Sequence, residues 1–93
     1  MVIGLLEVSI SIPDARSLKD KRAVLRSVKD RTQHRINVSV AEVGMQDEWR
    51  RAELAFVTVA AGREVVDKRL AEVRTQLTMD PSFVVMDFRM ELL

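Results

Sequence analysis

Hydrophobic and polar residues alternate along the start of the chain, and this period of two is typical of a half-buried β-strand. From position 6 to position 12 the even-numbered residues are apolar and the odd-numbered residues are polar. The pattern predicts a strand over residues 2–12. Pro13 would end it, because proline cannot donate a hydrogen bond to a sheet.

The rest of the chain predicts two helices and three further strands. Ser17 is a favourable helix N-cap, and the apolar spacing after it predicts a helix that fades near His34. Apolar residues at i, i+4, i+7 and i+11 from Val66 predict a second helix, which Asp80-Pro81 would end. Alternating apolar residues predict strands over residues 36–40, 52–60 and 83–92. The third strand is apolar on both faces, which suggests a central position in the sheet.

The predicted order is therefore β-α-β-β-α-β in a single domain over residues 1–93. Two right-handed crossovers around a central hairpin give a four-stranded antiparallel sheet with both helices on one face. This α+β architecture is the ferredoxin-like plait. In the last strand we assign the even-numbered residues of 84–92 to the core, and Asp87, Arg89 and Glu91 to the solvent.

The plait leaves one face of its sheet open, and the pattern assigns several apolar side chains to it. These residues are Ile3, Leu5, Leu54, Phe56, Phe83 and Val85. An exposed apolar patch of this kind usually marks an interaction surface. A second copy of the chain is the simplest cover, so we expect a homo-oligomer, in its simplest form a dimer, with an interface of Leu5, Leu54, Phe56, Phe83 and Val85.

The composition excludes several classes of site. The chain has no cysteine, so it has no disulfide, thiolate metal site or cysteine nucleophile. No apolar run approaches the roughly 20 residues that a membrane-spanning helix needs, and the N-terminus lacks the basic start of a signal peptide. We expect a cytoplasmic protein with no membrane partner, no metal and no cofactor.

Positive charge is concentrated in one segment. Residues 16–35 contain eight of the fifteen basic residues and two acidic ones, for a formal charge of +6. Because the whole chain carries +1, the other 73 residues carry −5. A segregated positive patch favours an anionic partner, and nucleic acid is a common one.

Helical projection divides this basic segment into two groups. Lys19, Arg22, Arg26 and Lys29 follow the spacing i, i+3, i+7 and i+10, and predict a stripe about 15 Å long beside the apolar face. Lys21 instead projects into the apolar arc, where its ammonium needs a partner. Lys19, Lys21 and Arg22 crowd the first helical turn, where cations are unfavourable. An anion held by the helix N-terminus, the Ser17 hydroxyl and these cations would explain the arrangement.

Other plait signatures and candidate residues give weaker indications. The chain lacks the strand aromatics of RNA-recognition motifs, a Cys-x-x-Cys loop and a glycine-rich phosphate loop. His34 is interpreted as a helix-end residue, and Asp47 and Glu48 as a solvated loop. Trp49 is interpreted as a core or interface anchor. A phosphate-ester enzyme using Arg16 and Lys21 is disfavoured, because no nucleophile or general base is visible.

Two motifs resemble a known family. The first motif is the run Arg-Ser-Leu-Lys-Asp-Lys-Arg over residues 16–22. The second is the run Asn-Val-Ser-Val-Ala-Glu-Val over residues 37–43, followed by Asp47 and by Trp-Arg-Arg-Ala over residues 49–52. Both are similar to motifs of the YlxP-like family. The resemblance implies a ferredoxin-like fold and no established activity. Family genes often neighbour those of translation-initiation and ribosome-binding factors, which suggests an RNA role by association. The family motif maps onto Ser17, Lys19, Lys21 and Arg22, and onto Asn37, Ser39, Glu42 and Asp47.

Two functional hypotheses follow. The first is a non-enzymatic RNA- or ribosome-associated domain that binds phosphates through Arg16, Ser17, Lys19, Lys21, Arg22, Arg26 and Lys29. The second is a homo-oligomeric interaction or regulatory module that uses the open sheet face, with the basic helix only solvated.

Overall fold

The computed structural model describes residues 1–93 and contains six elements. In chain order they are β1 (Val2–Ser11), α1 (Leu18–Arg35), β2 (Ser39–Gly44), β3 (Arg51–Ala60), α2 (Arg63–Thr78) and β4 (Val84–Leu92). The strands form one sheet in the order β2-β3-β1-β4, and every neighbouring pair is antiparallel. The predicted ferredoxin-like α+β fold is confirmed. Neither helix has the length and apolar character needed to cross a membrane.

The core lies between the helices and one face of the sheet. The alternation of β1 is confirmed, because Leu6, Val8, Ile10 and Ile12 are at most 1% exposed. The apolar stripe of α2 is confirmed too, since its four apolar residues from Val66 to Leu77 are buried. Together with Ile12, which lies directly after β1, these two elements supply eight of the sixteen buried residues of the core.

The packing of α2 on β1 depends on Gly4. A Cβ atom at this position would lie 2.4 Å from Val66 Cγ1 and 3.0 Å from Leu70 Cδ1. Both distances are shorter than normal van der Waals contact between carbon atoms. The missing side chain therefore allows the helix to approach the strand.

The predicted orientation of β3 is wrong. Leu54 and Phe56 are 3% and 0% exposed and lie in the core, not on the open face. They pair with Val8 and Leu6 of β1, and directly opposed residues of neighbouring strands share a face. Since β1 turns its even-numbered residues toward the helices, β3 does the same. The open face is instead lined by the odd-numbered residues, such as Val57.

The predicted orientation of β4 is wrong in its first half. Phe83 is 5% exposed and Val85 packs against the core, so neither lies on the open face. Val84 and Met86, which were assigned to the core, are 57% and 51% exposed. The cause is a register shift opposite Ser9 and Ile10, where one extra residue of β4 reverses the alternation.

These corrections reduce the predicted oligomer interface to one residue. Of its five members only Leu5 lies on the open face, where it pairs with Val57 of β3 and Glu91 of β4. Phe56, a member of the predicted interface, is fully buried, so a change such as Phe56→Asp would disrupt the core. The apolar part of the open face is a small corner in which Ile3 pairs with Val59 next to Leu5 and Val57.

An ion pair joins α1 to the turn between α2 and β4. The guanidinium of Arg31 contacts the carboxylate of Asp80, whose side chain is 4% exposed. The carboxylate also accepts a hydrogen bond from the backbone N–H of Ser82 at 2.8 Å. Burial alone would raise the pKa of Asp80, but the hydrogen bonds from Ser82 and Arg31 and the charge of Arg31 outweigh it. The pKa of this carboxyl is therefore lower than usual.

We expect Asp80→Asn to lower the free energy of unfolding by about 1–2 kcal/mol at neutral pH. A depressed carboxyl pKa contributes stability above the usual value of about 3.9, and this contribution is lost as the pH falls through the lower folded-state value. The difference in the free energy of unfolding between wild type and variant should therefore disappear at acid pH. Urea unfolding at several pH values measures this difference.

Asp30→Asn is the matched control for this prediction. Asp30 is an exposed carboxylate on α1 without an ion pair, so its substitution should have little effect at any pH. A gap between wild type and Asp80→Asn that stayed constant from neutral to acid pH would contradict the proposed role of the carboxylate.

Candidate nucleic-acid interface

The start of α1 is capped by its own side chains. Ser17 has extended backbone angles, and its hydroxyl accepts a hydrogen bond from the backbone N–H of Asp20 at 3.1 Å. The Asp20 carboxylate in turn accepts one from the backbone N–H of Arg16 at 2.9 Å. This reciprocal arrangement follows the logic of a capping box. The Asp20 carboxylate occupies the place where an external anion was predicted to bind. Ser17 therefore has a structural role, and we remove it from the predicted anion site.

Lys21 is not available to a ligand. Its side chain is 1% exposed, and its ammonium lies against the ends of β2 and β3. The ammonium contacts the Glu42 carboxylate at 2.8 Å and the carbonyls of Met45, Arg51 and Gln46 at 2.9, 3.2 and 3.4 Å. The prediction that Lys21 binds an outside anion is therefore wrong, because the protein's own oxygens surround the charge.

The stripe itself is exposed, in agreement with the helical projection. Its members are Lys19, Arg22, Arg26 and Lys29. None of them has an acidic side chain within 4.0 Å; the three ion pairs of the structure involve Lys21, Arg31 and Arg63. Arg16, just before the helix, is likewise exposed and unpaired. The stripe therefore presents four unneutralised cations along one side of α1.

A groove runs between α1 and β2 beside the stripe. Its volume is about 330 Å³. Arg22, Arg26 and Lys29 line it from the helix, and the five apolar residues that line it are Leu25, Val28, Val40, Ala41 and Leu54. Glu42 also lines the groove, but its carboxylate is already paired with Lys21. The groove combines a cationic wall with an apolar floor.

The ion pairs reduce the charge asymmetry but do not remove it. Two of the eight cations in residues 16–35 are neutralised from elsewhere in the chain, Lys21 by Glu42 and Arg31 by Asp80. The other six have no ion pair.

Sequence reasoning missed both acidic partners, since they lie far along the chain. The only signal was the projection of Lys21 into the apolar arc, which required a partner without naming it.

The second group of motif residues is structural or solvent-exposed. The carbonyl of Asn37 accepts a hydrogen bond from the Thr58 hydroxyl at 2.8 Å, and Ser39 is exposed opposite Val57. Asp47 is exposed in the β2–β3 loop.

No group of three acidic or histidine residues is close enough to bind a metal. His34 is exposed in the last turn of α1 and makes no cap hydrogen bond; the Ile36 N–H bonds to Thr32 instead.

Trp49 was predicted to be a core or interface anchor, and its 51% exposure contradicts the core alternative only. It lies in the β2–β3 loop, which is attached at two points, one in the first turn of α1 and one in the residues before it. Lys21 binds the loop carbonyls, and the Arg50 guanidinium donates to the carbonyl of Ala15 at 3.0 Å. The loop and the start of α1 therefore form one connected unit.

A larger cleft lies away from the stripe. It has a volume of about 980 Å³ between the C-terminal halves of α1 and α2. Its lining mixes acidic and basic residues, among them Asp30, Arg35, Glu72 and Asp80, and contains no residue of the stripe. Sequence reasoning did not identify it, because its lining carries no motif.

The sequence of the chain is similar to those of a known protein family. The family model described as "Protein of unknown function (DUF503)" matches residues 3–90. One similar protein is the "Uncharacterized protein YlxP" of Bacillus subtilis (strain 168), which is 42% identical over 72 residues. The match covers 77% of this chain and 78% of that protein. The chain therefore belongs to the DUF503 family, which confirms the resemblance carried by its two motifs.

Proposed function

We propose that this domain is a non-enzymatic RNA- or ribosome-associated binding protein that uses α1 to contact phosphates. The observation that carries the proposal is the stripe of four exposed cations without acidic partners. Unpaired cations in a row repel one another and are attracted to a polyanion. The proposed contacts are Lys19, Arg22, Arg26 and Lys29, with Arg16 at one end.

The geometry of α1 supports a backbone-directed mode of binding. The stripe is about 15 Å long and straight, because its residues lie on one side of a continuous helix. Contacts of Lys and Arg with phosphates position a protein but carry no sequence information. The apolar floor of the adjacent groove lies under the same residues and would exclude water from one side of these contacts. We therefore expect binding to structured RNA with weak sequence preference.

A salt series tests the proposal. Four phosphate contacts predict that the logarithm of the RNA association constant falls with the logarithm of the salt concentration with a slope of roughly −3 to −4. Fluorescence anisotropy with a labelled RNA hairpin measures this slope. The proposal fails if the full chain does not bind at low salt or if the slope is near zero.

A matched pair of variants locates the contact. Arg26→Gln removes a stripe cation and should reduce the magnitude of the slope by about 1. Lys68→Gln removes an exposed cation of α2 and should leave the slope unchanged. Equal losses from the two variants would indicate a nonspecific effect of net charge and would count against the stripe.

Self-association is the second candidate function. The observation that favours it is the distribution of exposed large apolar residues, five of which belong to the last ten positions of the chain: Val84, Met86, Met90, Leu92 and Leu93. This concentration favours the β4 edge over the open face as the surface of contact.

A further inference from the structure

The strand β4 is an unpaired edge of the sheet. It is nine residues long and has β1 as its only neighbour. A long edge strand is a template for pairing with another chain, and proteins usually protect it with proline, charged side chains, a β-bulge or a covering segment. β4 has no proline, and its irregularity lies toward its start, beside Met86. Its charges have both signs, and five of the thirteen exposed large apolar residues of the protein lie on it or directly after it.

The backbone of β4 offers free hydrogen-bonding groups at this edge. The N–H of Leu93 donates to the carbonyl of Ile3 at 2.8 Å. This hydrogen bond identifies which residues of β4 direct their backbone groups toward β1. In an antiparallel pair, alternate residues direct both backbone groups to the neighbour and the residues between them direct theirs away. Phe88, Met90 and Leu92 therefore present their N–H and carbonyl groups outward.

The central sequence of β4 is complementary to itself when two copies run antiparallel. If Phe88 of one copy pairs with Phe88 of the other, Asp87 is opposite Arg89 of the second copy and Arg89 is opposite its Asp87. Met86 of each copy is also opposite Met90 of the other copy. Register with β1 places Asp87 and Arg89 on the same open face of the sheet, opposite Ser9 and Glu7. Opposite charges in such cross-strand pairs attract.

The hydrogen-bonding phase agrees with this register. Phe88 would form a hydrogen-bonded pair with its symmetry mate, because its backbone groups point outward. Asp87 and Arg89 would then form non-hydrogen-bonded pairs, in which side chains approach more closely. The register shift opposite Ser9 and Ile10 leaves Met86 as the extra residue of β4, so the regular match covers residues 87–89 of both copies and Met86 lies at its edge.

We propose that β4 binds β4 of a second copy of this chain, antiparallel and in register at Phe88, so that two domains share one eight-stranded sheet. The contact is isologous, with the same residues contributed by both copies, as in most homodimers. The local two-fold axis is perpendicular to the sheet, so the helices of both copies lie on the same face. This interface is independent of the proposed RNA contact, because α1 contacts β2 and α2 but not β4.

A charge-swap experiment tests the interface. Asp87→Arg and Arg89→Asp each replace two attractive cross-strand pairs with two repulsive ones. Each single variant should raise the dimer dissociation constant about tenfold or more. The double variant Asp87→Arg/Arg89→Asp restores opposite charges in the same register and should dimerise like the wild type. Sedimentation over a protein dilution series measures the mass, starting from 10.6 kDa for one copy.

Two measurements keep the result decisive. Thermal unfolding by circular dichroism, followed in parallel, identifies a single variant that fails to fold; rescue by the double variant then establishes the charge pairing. Val57→Lys changes the open face, away from β4, and should leave the dimer intact. The proposal is overturned if the wild type sediments as one copy at every concentration, if the double variant does not restore the dimer, or if Val57→Lys dissociates it.

Discussion

Replacing Lys21 with methionine is expected to lower the free energy of unfolding by about 2–4 kcal/mol. Methionine fills a similar volume but removes the charge that Glu42 faces and the donor that three carbonyls share. Those oxygens would remain in a largely buried place without a partner. The Glu42 carboxylate is 23% exposed, so water recovers part of the loss. In a domain of this size, each kcal/mol corresponds to roughly 4–8 °C of melting temperature.

The neighbouring Lys19 provides the control for this experiment. Lys19→Met removes the same group from an exposed position two residues away and should change stability by no more than about 0.5 kcal/mol. The double variant Lys21→Met/Glu42→Gln should recover part of the loss, because it removes the stranded carboxylate. Urea denaturation of all four proteins measures these differences. Equal stabilities of the Lys19 and Lys21 variants would contradict a structural role for the buried ammonium.

Replacing Gly4 with valine is expected to lower the free energy of unfolding by about 1–3 kcal/mol or more. Its Cβ alone would overlap Val66 Cγ1, and its methyl groups add volume where Leu70 also packs. Both neighbours belong to the fully buried stripe of α2, so relief requires the helix to move away from β1. The shift of the urea midpoint measures the cost.

Gly62 provides a contrasting glycine. Nothing lies within 4 Å of a Cβ built there, and it occupies the N-cap position of α2 without a side-chain cap. Gly62→Ser should therefore leave stability unchanged or raise it, since serine caps a helix start well. A loss of stability as large as that of Gly4→Val would show that steric overlap is not the cause at Gly4.

The sequence predicted those parts of the fold in which only one face of an element is apolar. From Leu6 onward the apolar residues of β1 lie on one face, and those of α2 at i, i+4, i+7 and i+11 from Val66 form one stripe; the structure buries both. β3 is apolar on both faces, so the period of two identifies a strand but not its orientation. In β4 the register shift opposite Ser9 and Ile10 reverses the alternation, and no residue type in the sequence marks it.

The candidate site was predictable to a similar extent. Helical projection and charge were enough to identify the stripe, because its residues are local and solvent-exposed. The role of Lys21 depended on Glu42 and on backbone carbonyls, whose positions are set by the β2–β3 hairpin. Contacts of this kind have no local spacing in the sequence, so their partners became visible only in the folded chain.

The attachment of the β2–β3 loop to the start of α1 has a practical consequence for spectroscopy. Trp49 is the single tryptophan, and the chain has no tyrosine. Its near-ultraviolet emission therefore originates at one half-exposed indole, on a loop that Lys21 and Arg50 bind to the first turn of the helix and the residues before it. The protein carries an intrinsic fluorophore beside its own cationic helix, with no dye or engineered label required.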